Sequence, residues 1–243
     1  MATISQHRGT RGQPEQSRNA ILQAALEEFG ANGLDGARMD AIARNAAVNK
    51  ALVYYYFQDK QALYAAVLED FLASRSAALS EVLQSDLPPG EKLLMLARRQ
   101  FDFMAQHSVY PRLMLEAFSA ERLPGRTLRH MVEHYIRPVS AEMEELVARG
   151  VRSGELVEVH GMHVGQMFAA NTVFYFASAP IAEVITGRDP LAPAAIRDQR
   201  LNVLRLFAST FFADRERGLC IARKVFDAPE WRACAAPLKR GNK

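Results

Sequence analysis

The sequence predicts an all-α protein: an N-terminal three-helix helix-turn-helix domain followed by a larger C-terminal helical domain. Three observations carry this. Apolar residues recur at three- and four-residue spacing along most of the chain, and no convincing run alternates as a strand does. Capping residues and prolines punctuate that pattern at helix-length intervals. Near the N-terminus, two short helical stretches are separated by only three residues, Ala47-Val48-Asn49, which is the spacing of a helix-turn-helix.

The first dozen residues, with Arg8, Gly9, Arg11 and Gly12, read as a flexible arm. From Pro14 the pattern turns helical: Ile21, Ala25 and Phe29 recur every four residues beside Leu22 and Leu26, forming one apolar face. Gly30 and Gly33 are expected to end this helix. A second, short helix covers about Met39 to Ala46, with Met39, Ile42 and Ala43 facing inward. Asn49 is a good N-cap for a third helix, Lys50 to Phe57, because its side-chain oxygen can accept a first-turn N–H. Asp59 is the next N-cap and opens a long helix, Lys60 to about Gln84.

Leu87-Pro88-Pro89-Gly90 breaks the pattern, since proline disfavours helix at the residue before it and suits a helix start. Further helices are expected at Glu91–Gln106, Val109–Glu121, Gly125–Ser153, His160–Ile185 and Ala194–Phe212. Pro138 should kink or split its segment, and Gly187-Arg188-Asp189-Pro190 reads as a loop. Residues 214–243 are less regular, with eight Lys/Arg against four Asp/Glu. A short helix near Glu230–Ala235 is expected there. The resulting division is 1–60, 61–213 and a C-terminal extension, 214–243.

Composition narrows the class. The chain has 243 residues, 49% of them hydrophobic, and a net charge of +3, which argues against wholesale disorder. The two cysteines, Cys220 and Cys234, offer neither a disulfide framework nor metal-ligand spacing, so a reducing cytoplasm is the simplest location. Residues 1–16 lack the apolar core of a signal peptide. The most apolar stretch, Val164 to Ile185, is interrupted by Gln166, Asn171, Pro180 and Glu183; it reads as a buried or interface helix rather than a membrane span. His130 and His134 lie one helical turn apart, but without a third nearby ligand no metal is expected. No cofactor is expected, and no nucleophile elbow, zinc-protease motif or phosphate-cradling glycine loop argues for an enzyme.

The informative segment is GLDGARMDAIARNAAVNKALVYYYFQDKQAL, Gly33 to Leu63. The exposed face of its second short helix carries Asn49, Lys50, Tyr54 and Tyr55. A helix of this size fits the DNA major groove, where lysine can donate to guanine edges and tyrosine hydroxyls reach phosphates. Tyr56 and Phe57 are read as core residues that hold this helix against the first. Residues 1–60 hold seven Lys/Arg and six Asp/Glu, so a DNA face must gain its positive potential by turning acids away. The basic arm is either a solvated tail or a strand lying along the DNA backbone.

At this point the sequence resembles the TetR family of bacterial transcriptional regulators. The run AVNKALVYYYFQDKQALY, Ala47 to Tyr64, is similar to the family's recognition helix and the start of its fourth helix; FGANGLDGARMDAIA, Phe29 to Ala43, is similar to the junction of its first two helices. The resemblance implies that Asn49, Lys50, Ala51 and Leu52 face the bases. It implies that Tyr54, Tyr55 and Lys60 contact the backbone. Two departures stand out. Arg38 occupies a position where threonine is usual and is kept as a DNA contact, able to grip a phosphate or reach a base; Ala51-Leu52 replaces a common Gly-Thr, and the leucine offers apolar contact to a thymine methyl instead of a polar donor.

The resemblance also implies a homodimer, a palindromic double-stranded operator and a C-terminal domain that binds a small effector and releases the DNA. Two copies of the motif must lie about 34–36 Å apart to read successive major grooves. The apolar helices near 160–185 and 194–212 are the expected dimer contact. The middle helices are rich in large soft side chains, which suits a largely apolar effector. Phe101, Met104, Met114, Phe118, Tyr135, Asn171, Phe174 and Tyr175 are the expected lining. An effector-independent or activating regulator, and a helical interaction module without DNA contact, remain open from sequence alone.

Overall fold

The computed structural model describes residues 14–119 and 123–228. The expected N-terminal arm and the expected helix near Glu230–Ala235 lie outside the described residues. Among the described residues the protein is helical throughout, apart from a single isolated bridge between Leu156 and Phe212.

Helix α1 (Pro14–Gly36) buries Ile21, Leu22, Ala25 and Phe29, the face that its apolar spacing predicts. Gly33 interrupts it with φ 66°, a conformation that glycine adopts without the steric penalty of a Cβ. Gly30 does not end the helix, contrary to expectation. It remains helical, and the side chain it lacks makes room for Val109, whose Cγ1 would sit 2.6 Å from an added Cβ. Helix α2 (Met39–Asn45) and helix α3 (Lys50–Phe57) follow, joined by a turn in which Ala47 has φ 54°. A left-handed alanine is strained by about 1–2 kcal/mol, and glycine gives back about half of that as chain entropy. Ala47→Gly is therefore expected to stabilise the protein by up to about 1 kcal/mol, read as a higher urea midpoint. A lower midpoint would contradict this reading of the turn.

Both expected N-caps are formed. Asn49 Oδ1 accepts from Leu52 N at 2.8 Å, and Asp59 Oδ1 accepts from Ala62 N at 2.7 Å. The second cap opens helix α4 (Lys60–Leu83), which runs from the N-terminal three-helix unit into the larger domain.

Helix α5 (Pro89–Gln106) is the centre of that domain. It is buried along most of its length and packs against α4, α9, α11 and α12. Helix α6 (Tyr110–Ser119) turns back onto α1. The expected long helix at 125–153 is split into α7 (Gly125–Met131), a π-helical turn (Val132–Ile136) and α8 (Arg137–Arg152). Pro138 explains the split, because it cannot donate to the carbonyl four residues back and its ring crowds that carbonyl.

The expected helix at 160–185 is likewise two: α9 (Gly161–Ala177) and α10 (Ala179–Thr186), bent by 63°. Pro180, in the first turn of α10, starts the new helix. No single helix among the described residues is long and apolar enough to cross a membrane. Helix α11 (Pro193–Phe211) is followed by a further helix, α12 (Arg215–Asp227), which packs along α11 and α5. This corrects the expectation of irregular structure after residue 213. Asp214 caps α12 by accepting from Arg217 N at 3.0 Å, and Gly218, Ala222 and Val225 are its buried face.

The two parts share one core. Phe29 of α1 meets Tyr64 of α4 edge-to-face at 5.0 Å, and the Tyr64 hydroxyl donates to Leu113 O of α6 at 2.8 Å. Arg112 donates to Gly30 O, and Leu34 N donates to Glu116 Oε1 at 3.4 Å, so α6 grips the end of α1. Lys60 Nζ, at the head of α4, donates to Asp35 O at 2.9 Å and Ala37 O at 3.2 Å.

Candidate functional site

Helix α3 is held by one edge only. Val53 and Phe57 are buried, while Lys50, Ala51, Tyr54 and Tyr55 are exposed and Leu52 is half-buried. The spacing explains most of this: 53 and 57 share one face and 51, 54 and 55 are turned away from it, while Lys50 is exposed as the first residue of the helix. Tyr55 is 80% exposed, unusual for so large an aromatic ring, whereas Phe57 packs under the Arg18 guanidinium at 5.5 Å from the ring centre. Tyr56 is half-buried and donates to Pro14 O at 3.1 Å. Phe57, and in part Tyr56, thus hold α3 to α1.

Asn49 spends its side-chain oxygen on the helix cap, which leaves the amide N–H₂ to face outward. Lys50 pairs with Asp40 of α2 at 2.7 Å, and its ammonium lies 5.9 Å from the centre of the Tyr54 ring. The hydrogen bond and charge of Lys50 hold the Asp40 carboxyl below its ordinary pKa, and the same contact raises that of Lys50. Both groups are more than half exposed, so the pair is screened and exchangeable. Here the expectation of acids turned away is corrected: Asp40 stays on the same surface, where the first turn of α2 favours a negative charge.

Arg38 is exposed at the N-cap of α2, with no side-chain cap, and its backbone N–H donates to Glu28 Oε1 at 3.0 Å. Lys60 is half-buried, and its two bonds to Asp35 O and Ala37 O give it a structural task as well. Arg38, Asn49, Lys50, Ala51, Tyr54 and Tyr55 therefore form one exposed surface, with Leu52 and Lys60 at its margins.

The expected effector residues divide more unevenly. Phe101 and Met104 of α5 are fully buried, and Phe101 lies 6.0 Å from the Tyr175 ring and 5.4 Å from Phe176. Tyr175 donates to Pro190 O at 2.5 Å, and Asn171 spends its N–H₂ on Met167 O of its own helix at 3.1 Å. Met114 is half-buried on α6, and the Phe118 side chain lies outside what the structure describes. Tyr135 is separate, in the π-turn, and donates to Glu69 Oε1 at 3.0 Å beside His130. Phe174 is 67% exposed and leaves the set. On α9 the buried face is 164, 168, 172 and 176, and 174 falls on the opposite side. With Met162, Ile181, Val184 and Ile185 it is one of the large apolar residues that α9 and α10 leave exposed.

Two features escaped the sequence reading. One is an open groove of about 660 Å³ between α11 and α12, flanked by Arg197, Arg205, Arg215 and Arg223. The other is a buried polar row in the middle of the domain: Arg75 Nε donates to Gln100 Oε1 at 2.8 Å, Gln100 Nε2 donates to Thr172 Oγ1 at 3.2 Å, and Thr172 Oγ1 donates to Phe168 O at 2.7 Å. Gln100 and Thr172 are each 1% exposed.

Residues 21–67 match the model of the bacterial regulatory proteins of the tetR family, and residues 89–206 match that of the tetracyclin repressor-like C-terminal domain. The HTH-type transcriptional regulator RutR of Escherichia coli K12 is 32% identical over 185 residues, covering 75% of this chain and 81% of that protein. The HTH-type transcriptional repressor SCO4008 of Streptomyces coelicolor is 36% identical over 132 residues, covering 53% of this chain and 64% of that protein. Among solved structures, a gamma-butyrolactone receptor (ArpA-like protein) superposes with a TM-score of 0.64 at 15% identity, covering 88% of this chain and 98% of that one. FadR of Bacillus subtilis in complex with stearoyl-CoA superposes with a TM-score of 0.58 at 17% identity, covering 76% and 96%.

Proposed function

The chain belongs to the TetR family of bacterial transcriptional regulators, and from that premise we propose that it is a homodimeric repressor that leaves a palindromic operator when a small molecule enters its C-terminal domain. The observation that carries the DNA reading is the exposed face of α3. An N-capped helix presents a lysine, a free amide and two tyrosines to solvent, while its opposite edge is fixed in the core. Lys50 and the Asn49 amide suit base edges, and Tyr54, Tyr55, Arg38 and Lys60 suit phosphates.

Dimerisation is supported by the exposed large apolar residues of α9 and α10, and by Leu206 exposed on α11. Large apolar side chains left exposed on two consecutive helices suit a protein interface. Helix α12 already covers one flank of α11, so the contact falls mainly on α9, α10 and the outer edge of α11.

Release follows from coupling. Helix α4 is tied to the N-terminal unit through the Lys60 hydrogen bonds and the packing of Tyr64 on Phe29, and it also packs against α5 and α8. A ligand that favours one setting of α4 shifts the population of DNA-competent dimers by its differential affinity for the two states. The test is a mobility shift on the upstream intergenic DNA while candidate ligands are titrated. A tight ligand that leaves operator affinity unchanged would remove the mechanism. Tyr54→Phe is expected to weaken operator binding several-fold, the loss of one phosphate hydrogen bond, with little change in stability. Unaltered binding would assign Tyr54 to packing.

A further inference from the structure

Arg75 lies at the middle of α4, between turns whose neighbouring residues Phe71, Leu72, Ala78 and Leu79 are all buried and apolar. Its guanidinium faces inward, toward Gln100 on α5 and Thr172 on α9. Burial alone pulls its pKa down to about 10, with no carboxylate near enough to oppose the shift. Its one hydrogen bond among the described residues runs from Nε to Gln100 Oε1. Arg75 is half-buried, so part of the side chain stays accessible from outside the row.

This arrangement is costly in an empty protein. A largely desolvated cation without a counter-charge is unfavourable, because its burial is offset by no ion pair. Gln100 is itself fixed: its oxygen accepts from Arg75 and its amide donates to Thr172, whose hydroxyl is in turn anchored to Phe168 O. The row thus holds the Nε edge of the guanidinium and leaves Nη1 and Nη2, a planar fork of four N–H donors, with no hydrogen bond to the protein among the described residues. A planar fork matches a carboxylate, which accepts two parallel hydrogen bonds and supplies the missing charge. The apolar residues one turn to either side, and Phe101 one residue beyond Gln100, favour an apolar body behind that group.

We propose that Arg75, positioned by Gln100 and Thr172, is the anchor of the effector site, and that the effector is a small organic acid whose carboxylate pairs with the free edge of the guanidinium. This rests on the reading of the helical domain as an effector domain, and it replaces the expectation of a merely apolar ligand with an amphiphilic anion.

The test compares each acid with its neutral isostere on the full-length protein: benzoate with benzamide, phenylacetate with phenylacetamide and octanoate with octanamide, with inorganic phosphate as a separate probe. Thermal shift and calorimetry read binding; mobility shift on operator DNA is recorded in parallel. At least one acid is expected to raise the melting temperature and to bind about tenfold or more tightly than its amide, the ratio expected for a charged hydrogen-bonding pair. Arg75→Met is expected to erase that difference and, without ligand, to melt no lower than the parent, because it removes an uncompensated charge. Arg75→Lys keeps the charge but loses the fork, and is expected to weaken acid binding in a protein that remains folded. The proposal is overturned if no acid is preferred to its amide, if the preference survives in Arg75→Met or Arg75→Lys, or if phosphate alone discriminates. An acid that binds through Arg75 without altering operator affinity sinks the release mechanism and leaves the anion site standing.

Discussion

Replacing Phe29 by alanine is expected to cost about 3–5 kcal/mol of stability, the range for a fully buried phenylalanine. Phe29 has no exposed surface and packs edge-to-face on Tyr64. Tyr64 is equally buried and is tied to α6 through Leu113 O. Removing the ring therefore opens a cavity where α1, α4 and α6 converge, and rigid helix backbones cannot close in to fill it. Urea titration followed by circular dichroism reads the effect, and operator binding should fall with the folded fraction. A loss below about 1 kcal/mol would mean that the two parts pack independently, and that α1 is held by α2 and α3 alone.

Lys50→Ala is expected to weaken operator binding about ten- to hundredfold while changing affinity for random DNA by no more than about twofold, the signature of a lost base contact. The free protein holds Lys50 against Asp40, so binding exchanges one protein carboxylate for a guanine edge. The alanine variant removes the donor and also leaves Asp40 unpaired beside the phosphates, which adds repulsion that salt would screen. Asp40→Asn separates the two contributions. It should raise affinity for any DNA at low salt without altering sequence preference. Equal losses on specific and random DNA for Lys50→Ala would move Lys50 from base reading to backbone contact. Melting temperature should be nearly unchanged, because the pair is solvent-exposed.

The DNA-binding unit was legible in the sequence because its signals are local. Asn49 and Asp59 each cap a helix through a bond to a residue three positions on, and the period of Ile21, Ala25 and Phe29 marks the buried face directly. Pro138 marks disruption of its segment, although only the structure shows a π-turn there; the break at Pro180 falls inside a stretch whose apolar run reads as one continuous helix. Helix α12 was missed because RERGLCIARKVFD is short and rich in charge, which hides the helical spacing of its few apolar residues. Its buried face consists largely of small residues, Gly218 and Ala222, with Val225. Arg75 was missed for a non-local reason. In α4 it reads as one more solvent-facing arginine, and only the approach of α5 and α9 puts it inside. Phe174 failed in the opposite direction: hydrophobicity suggested a lining residue, whereas its position on α9 faces outward.

Helix α4 has 24 residues, so at 1.5 Å per residue it is about 36 Å long. Its Lys60 end is fastened to the carbonyls of Asp35 and Ala37, just ahead of the reading head. A swing of about 5° about the far end carries the near end roughly 3 Å sideways, close to the 3.4 Å step between stacked base pairs. In a symmetric pair the two displacements add or cancel according to their direction. A rod pinned in this way acts as a long lever arm, so an adjustment of about 1.5 Å near its middle is enough to carry its head through nearly one base-pair step.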